Sequence, residues 1–120
     1  MRILVADDEI EMTEILKQAI SRKGHSVDVA FDGNHAMELL KQNHYDVAFL
    51  DLTMPEMTGM EISEYLLSSG AGTVTVLVTA YPFIMENFLK ASGIHEWIAK
   101  PFEIAQIDQI LQKYSPSKGV

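Results

Sequence analysis

The stretch Val47-Ala48-Phe49-Leu50-Asp51 decides the fold that this sequence predicts. Four apolar residues run without interruption into an aspartate, and the turn-like Leu52-Thr53-Met54-Pro55 follows. An apolar run of this length, bounded by turn residues, is typical of a strand buried on both faces of a parallel sheet. Asp51 would then lie at the carboxyl end of the strand, the edge at which open α/β sheets bind ligands. Aspartate is also common at the start of a turn, so a role in a site depends on the rest of the chain.

The composition is that of one globular domain. The chain has 120 residues, 48% of them hydrophobic, which is enough for a single buried core. It has no cysteine, which excludes disulfides and thiolate metal sites, and no apolar stretch long enough to span a bilayer. A formal net charge of -8 argues against direct binding of nucleic acid or of an anionic membrane surface. We therefore expect a cytoplasmic domain that binds neither nucleic acid nor membrane.

Strand and helix patterns alternate five times along the chain. Short apolar or β-branched runs predict strands, and apolar residues at helical spacing follow each of them. Thr58 and Glu61 have capping-box spacing at the start of the third helix, and the fourth helix is predicted from Pro82 to Gly93. This alternation predicts a flavodoxin-like α/β fold, with a parallel sheet in the order 2-1-3-4-5 and helices on both faces.

The chemically active side chains gather at the carboxyl ends of the predicted strands. Asp7 and Asp8 follow the first strand, Asp51 ends the third, Thr79 ends the fourth and Lys100 follows the fifth. The first and third strands are neighbours in the predicted order, so three carboxylates would meet and raise one another's pKa unless a cation binds. Mg²⁺ prefers such oxygen ligands, and a hydroxyl and a lysine suit phosphoryl oxygens. We therefore predict that Asp51 accepts a phosphoryl group, with Mg²⁺ as cofactor.

Each of these residues also has an ordinary structural explanation. The acid pair Asp7-Asp8 could cap a helix, Thr79 could be a plain strand threonine, and Lys100 could be a surface lysine. Their shared location at the ends of several strands favours a common site, because unrelated surface residues have no reason to gather at one edge.

The motifs resemble those of the receiver domains of bacterial two-component response regulators. The resemblance covers residues 1–114, and its motifs are Asp7-Asp8, Asp51 to Pro55 followed by Gly59, Thr79-Ala80 and Lys100-Pro101-Phe102. It implies a signalling switch that a sensor histidine kinase or phosphotransfer protein phosphorylates on Asp51, and that then changes its binding to partners. Such a protein is not an enzyme beyond assisting its own phosphorylation and autodephosphorylation. Residues 115–120 read as a short polar tail, without an output domain.

The resemblance also implies a set of metal ligands. Asp8, Asp51 and the Thr53 backbone carbonyl would bind Mg²⁺ directly, and Asp7 would act through a metal-bound water. Lys100 would contact the phosphoryl group.

A second set of roles concerns the response to phosphorylation. Thr79 would contact the phosphoryl group and act as the switch hydroxyl. Trp97 stands where the family has its switch aromatic, although tyrosine or phenylalanine is commoner there. Family members usually have a cis peptide bond before the proline that matches Pro101.

Three residues flank the predicted phosphoryl site and would tune it, namely Thr53, Ala80 and Tyr81. Ala80 is small and leaves the phosphoryl group accessible. We predict that the bulky Tyr81 hinders the hydrolytic water and slows autodephosphorylation.

The predicted fourth helix is more apolar than a core-facing stripe requires. We predict that Phe83 or Ile84 is exposed close to Trp97. In receivers, this helix, the fifth strand and the last helix often form the face for a homodimer or a downstream protein. The alternative is a wide stripe that faces only the core.

Two other functions remain as alternatives. One is a receiver-like interaction module that acts without phosphorylation. The other is a phosphatase with an aspartyl nucleophile, although Thr53 stands where such enzymes carry a second acid. A flavin-binding protein is disfavoured, because Asp7-Asp8-Glu9 would repel the flavin phosphate.

Overall fold

Strands and helices alternate along the part of the chain described by a computed structural model, which covers residues 1–54, 56–81 and 94–115. The strands are β1 (Arg2–Ala6), β2 (Ser26–Ala30), β3 (Val47–Asp51), β4 (Val74–Thr79) and β5 (Glu96–Ala99). The helices are α1 (Ile10–Ser21), α2 (Gly33–Gln42), α3 (Gly59–Ser69) and α4 (Ile104–Tyr114). The predicted fourth helix, with Phe83 and Ile84, lies outside the described residues, so α4 is the helix predicted as the last.

The five strands form one parallel sheet in the order β2-β1-β3-β4-β5, which confirms the predicted topology. All residues of β3 are buried, as the uninterrupted apolar run predicted. Strand β2 lies at the edge and is only partly buried, which agrees with its alternating sequence. The sheet therefore places β1 and β3 at its centre, next to each other.

Successive side chains of a strand point to opposite faces, so the central strands supply two separate cores. One core lies against α2 and α3, and its strand residues include Leu4, Ala6, Ala48 and Leu50. The other lies against α1 and α4, and its strand residues include Ile3, Val5, Val47 and Phe49. Helices cover both faces, as predicted, and this leaves the carboxyl edge of the sheet for the loops that carry the polar side chains.

The third helix begins as its sequence predicted. Thr58 is the N-cap, its hydroxyl accepts a hydrogen bond from the Glu61 amide at 3.2 Å, and the Glu61 carboxylate accepts one from the Thr58 amide at 3.3 Å. This reciprocal pair satisfies two amides that would otherwise lack partners at the helix start. Among the described residues, none of the helices is long and apolar enough to cross a membrane.

Candidate functional site

The register of the sheet brings the predicted site residues together. Ala6 pairs with Leu50, so Asp7 and Asp51 follow on adjacent strands. Asp51 pairs with Val78, and Thr79 pairs with Ala99. Thr79 therefore ends β4, and Lys100 follows β5, beside the two aspartates, at the carboxyl edge where open α/β sheets bind ligands.

Three carboxylates form an acidic cluster at this edge. One oxygen of each of Asp7, Asp8 and Asp51 lies within 4.8 Å of the others, with Asp7 and Asp51 buried and Asp8 exposed. Oxygens on opposite sides of one Mg²⁺ are about 4.2 Å apart, twice the usual bond length. The cluster therefore fits a hard divalent cation after small side-chain movements. Both oxygens of Asp7 already have protein partners, since Oδ1 accepts from the Glu9 amide at 2.9 Å and Oδ2 pairs with Lys100 at 3.0 Å.

Lys100 supplies the positive charge of the site. Its Nζ atom lies 3.0 Å from Asp7 Oδ2, 2.8 Å from Glu9 Oε1 and 3.3 Å from Asp51 Oδ2. The side chain is only 13% exposed, so it is not an ordinary surface lysine. Its backbone amide donates to the Thr79 carbonyl at 2.7 Å, which fixes where the side chain begins.

Glu9 belongs to this site, and we did not predict it from the sequence. It precedes α1, and its exposed carboxylate makes the shortest of the ion pairs with Lys100. The only signal in the sequence was its place directly after the acid pair. Two of the three consecutive acids, Asp7 and Glu9, contact Lys100. Which of the acids do so depends on the backbone of the loop, and the sequence pattern does not specify that.

Burial and charge shift the protonation of the two central groups. Burial raises the pKa of Asp51 to about 6, and the neighbouring charge of Asp7 adds to the effect, while Lys100 and the Thr53 amide oppose it. Burial alone would lower the pKa of Lys100, but the hydrogen bonds with Glu9 and Asp7 and the charge of Asp51 hold it above its usual value. Lys100 is therefore cationic at neutral pH, and Asp51 is an ionised but poorly solvated carboxylate.

The backbone around Asp51 is held closely on both sides. The Thr53 amide donates to Asp51 Oδ1 at 3.2 Å, and the Leu52 amide donates to the Val78 carbonyl at 2.9 Å. A Cβ atom added at Gly59 would lie 2.5 Å from the Asp51 carbonyl oxygen, so only glycine permits α3 to start this close to β3. The residues that follow Asp51 are thus fixed to the end of the strand.

Thr79 is buried, and its hydroxyl accepts a hydrogen bond from the Tyr81 amide at 2.9 Å. Ala80 and Tyr81 are exposed, and they line a cavity of about 320 Å³ together with Asp8, Glu9, Asp51, Thr53 and Lys100. The predicted flanking residues Thr53, Ala80 and Tyr81 therefore all border the opening above Asp51.

Trp97 lies further from the cluster, on β5. It is half-buried and packs against the core on the α3 side of the sheet. The Lys100–Pro101 peptide bond is cis, as expected from the resemblance. Phe83 and Ile84, the other residues of the predicted partner face, lie outside the described residues.

Known proteins with similar sequences share this domain. A family model described as the response regulator receiver domain matches residues 3–112. Response regulator MprA from Mycobacterium sp. (strain KMS) is 32% identical over 124 aligned positions, which cover 99% of this chain and 54% of MprA. Transcriptional regulatory protein TctD from Salmonella typhimurium (strain SL1344) is 34% identical over 113 positions, which cover 93% and 50%. The chain spans about half the length of these curated relatives.

Solved structures with the same fold include receivers from distant bacteria. Response regulator TrrA from Thermotoga maritima, in complex with Mg²⁺-BeF, matches with a TM-score of 0.85 and 28% identity over 95% of this chain and 98% of that one. Chemotaxis response regulator CheY4 of Vibrio cholerae matches with a TM-score of 0.85 and 26% identity, again over 95% and 98%. The chain therefore belongs to the response regulator receiver domain family, the phosphorylation-controlled signalling domains of two-component systems.

Proposed function

We propose that this chain accepts a phosphoryl group on the carboxylate of Asp51, and that the acyl phosphate formed there changes its binding to partners. The observation that carries the proposal is the contact between a buried carboxylate and a partly buried cation, with Asp51 Oδ2 and Lys100 Nζ 3.3 Å apart beside two further carboxylates. The donor would be the phosphohistidine of a sensor histidine kinase or of a phosphotransfer protein. The proposed domain comprises residues 1–114.

In the proposed reaction, a carboxylate oxygen of Asp51 attacks the phosphorus atom. A P–O bond forms to Asp51 while the P–N bond to the donor imidazole breaks, and the imidazole leaves with the bonding electrons and takes a proton from solvent. Lys100, held beside Asp51, pairs with the oxygens of the incoming group. Mg²⁺, when bound, neutralises the charge that the phosphoryl oxygens bring to the acidic cluster. The protein thus assists its own phosphorylation and, with water as the acceptor, its own dephosphorylation.

We assign the metal ligands according to the contacts of each acid. Asp8 and Asp51 border the cavity, and with the Thr53 backbone carbonyl they would bind Mg²⁺ directly. Asp7 is buried and does not border this cavity, which supports its predicted role through a metal-bound water. The oxygen-only donor set is the kind that Mg²⁺ prefers.

The signal would leave the site through Thr79. Its hydroxyl accepts from the Tyr81 amide and still has a proton to donate to a phosphoryl oxygen, and its turning towards that oxygen would shift the segment that follows β4. Trp97, half-buried on β5, would respond to that shift. A face that includes Trp97 and the predicted Phe83 and Ile84 would then bind a second copy of the chain or a downstream protein. These steps, like the cytoplasmic location, are predictions.

Intact-mass spectrometry after incubation with acetyl phosphate tests the proposal. We expect one phosphoryl adduct that requires Mg²⁺, disappears on treatment with hydroxylamine, and is absent from Asp51→Asn. Asp46→Asn is the matched control, because it removes an exposed carboxylate just before the same strand and should leave the adduct unchanged. An adduct that survives in Asp51→Asn would place the chemistry elsewhere. A wild-type protein without any adduct would favour a module that acts without phosphorylation.

A further inference from the structure

The loop between β3 and α3 carries Thr53 and so links the nucleophile to the predicted metal ligand. We call residues 52–58 the phosphoacceptor loop, of which all but residue 55 are described. At one end, the Thr53 amide binds the Asp51 side chain, and at the other the Gly59 amide donates to the Leu52 carbonyl at 3.2 Å. The middle of the loop, at Glu56 and Met57, is in contact with a different element, the first turn of α2.

Gly33, the first residue of α2, lies directly against this loop. A Cβ atom added at Gly33 would collide with the Cβ atom and the carbonyl oxygen of Met57. Gly33 is buried, and Met57 also packs against the core that α2 and α3 share. The absence of a side chain at Gly33 therefore lets the loop backbone rest on the start of α2.

Asn34, the next residue, holds the neighbouring part of the loop. Its side-chain amide donates a hydrogen bond to the Glu56 carboxylate. Glu56 has a φ of 73°, a left-handed conformation that is unfavourable for residues other than glycine. The start of α2 is itself fixed, because Asp32 caps the helix by accepting from the His35 amide at 2.8 Å. Asn34 thus ties a strained loop residue to a well-anchored helix turn.

We propose that Gly33 and Asn34 are positioning residues for the phosphoryl site, acting through Met57 and Glu56. By fixing the middle of the phosphoacceptor loop, they set the position of the Thr53 carbonyl and thereby the affinity of the site for Mg²⁺. This inference rests on the proposed function, since it assigns Thr53 to the metal. Helix α2 would then support the site from one face of the sheet, while α1 lies on the opposite face.

Mg²⁺ titrations of loop variants test the inference. The first readout is the Mg²⁺ concentration that gives half of the maximal rise in melting temperature, and the second is the concentration for half-maximal adduct formation from acetyl phosphate. We expect Asn34→Ala to raise both by about threefold, the scale of one exposed hydrogen bond. Gln42→Ala, an exposed change at the other end of α2, should leave both unchanged. Gly33→Ala should raise both further, because the Met57 backbone must move.

A double-variant experiment separates positioning from general stability. Glu56→Gly removes the carboxylate that Asn34 contacts and introduces a residue that adopts a φ of 73° without strain, so the Asn34 side chain should no longer matter in this background. We expect Asn34→Ala to have little effect on the Mg²⁺ concentrations in the Glu56→Gly background, although it raises them in the wild-type background. A purely structural role would instead lower the melting temperature without Mg²⁺ and leave the half-saturating concentration unchanged.

The outcomes distinguish this inference from the proposed function. If Asn34→Ala has the same half-saturating Mg²⁺ concentrations as Gln42→Ala, the positioning role is overturned. It is also overturned if Asn34→Ala raises these concentrations equally in the wild-type and Glu56→Gly backgrounds. A wild-type melting temperature that does not respond to Mg²⁺ would overturn it as well. If wild type responds to Mg²⁺ but takes no phosphoryl group, the proposed function fails while the thermal titration still decides the role of Gly33 and Asn34. Should Gly33→Ala fail to fold, Asn34→Ala alone decides.

Discussion

The Nζ atom of Lys100 lies closer to Glu9 Oε1, at 2.8 Å, than to Asp51 Oδ2, at 3.3 Å. The Glu9 side chain is 57% exposed, whereas that of Asp51 is 8% exposed. The lysine is thus shared between a solvated carboxylate at the rim and the buried carboxylate proposed as the nucleophile. A phosphoryl group that arrives at Asp51 must compete with Glu9 for Lys100.

Neutralising Glu9 should therefore speed phosphorylation. In Glu9→Gln, Lys100 loses its rim partner, and one negative charge that repels the donor disappears. We expect adduct formation from acetyl phosphate to be about two- to fivefold faster, the scale of an exposed ion pair. Glu11→Gln is the matched control, because it removes an exposed carboxylate from the first turn of α1. Equal rates in Glu9→Gln and wild type would mean that the Glu9 contact has no kinetic role.

Replacing Lys100 should make the site depend more strongly on Mg²⁺. Lys100→Met removes the cation that faces three carboxylates, so the variant should melt at a lower temperature than wild type in EDTA. Because the acids then lack a protein cation, Mg²⁺ should half-saturate the variant at about a fivefold lower concentration. Lys113→Met, which removes an exposed lysine from α4, is the control. A weaker response to Mg²⁺ in Lys100→Met would show that the lysine orders the acids rather than competing with the metal.

The raised pKa of Asp51 predicts how stability depends on pH. The folded-state pKa is about 6 against an ordinary value of 3.8, so the folded protein binds this proton more tightly than the unfolded chain. The resulting stabilisation is complete below pH 3.8 and is lost as the pH rises through 6. Asp51→Asn stays neutral, so without Mg²⁺ it should be more stable than wild type at pH 7.5, by up to about 3 kcal/mol.

Urea unfolding in EDTA measures this difference. The advantage of Asp51→Asn should shrink between pH 7.5 and pH 4, about where the wild-type carboxyl also becomes protonated. Asp46→Asn, which changes an exposed carboxylate, should show no comparable gain at pH 7.5. An advantage for Asp51→Asn that is the same at both pH values would argue against an Asp51 carboxylate destabilised by burial.

The fold could be predicted from the sequence because local patterns and global topology agree in this chain. The apolar run before Asp51, the β-branched run of β4 and the capping box at Thr58 each specify their own element. Strict alternation with right-handed crossovers then leaves few possible strand orders. Asp7, Asp51, Thr79 and Lys100 followed from the topology, because each ends or follows a strand and all parallel strands end at one edge.

Contacts between loops could not be predicted in the same way. Glu9 reaches Lys100, and Asn34 reaches Glu56, through backbone turns that have no periodic signature. Gly33 follows Asp32 without any pattern that marks a contact, whereas its importance lies in the approach of Met57 from another loop. Such contacts depend on three-dimensional distances of a few ångströms, and hydrophobic periodicity carries no information at that scale.

The start of α3 should not tolerate a larger residue at Gly59. In Gly59→Ala, the new Cβ atom would meet the Asp51 carbonyl oxygen at 2.5 Å and Leu77 Cδ2 at 3.0 Å. We expect a loss of about 1–3 kcal/mol in the free energy of unfolding, larger than the gain in helix propensity. Urea unfolding measures the loss, with Ser68→Ala, an exposed change on the same helix, as the control. A more stable Gly59→Ala would mean that α3 can move away from β3 at little cost.

Tyr81 should determine how long the phosphoryl group survives. Tyr81 is 51% exposed and borders the cavity above Asp51, while its amide donates a hydrogen bond to the Thr79 hydroxyl. Tyr81→Ala keeps the amide but removes the ring, so water gains access to the acyl phosphate. We expect the phosphoryl group to be lost about two- to tenfold faster, a barrier change of about 0.4–1.4 kcal/mol, as followed by intact mass after removal of the donor.

The conservative variant separates the bulk of the ring from its hydroxyl. Tyr81→Phe keeps the ring and should retain the slow wild-type rate, because the prediction depends on steric blocking of water. If Tyr81→Phe loses the phosphoryl group as fast as Tyr81→Ala, the hydroxyl rather than the ring controls the rate. If Tyr81→Ala loses the phosphoryl group no faster than wild type, the ring points away from the attacking water and is only an exposed surface side chain.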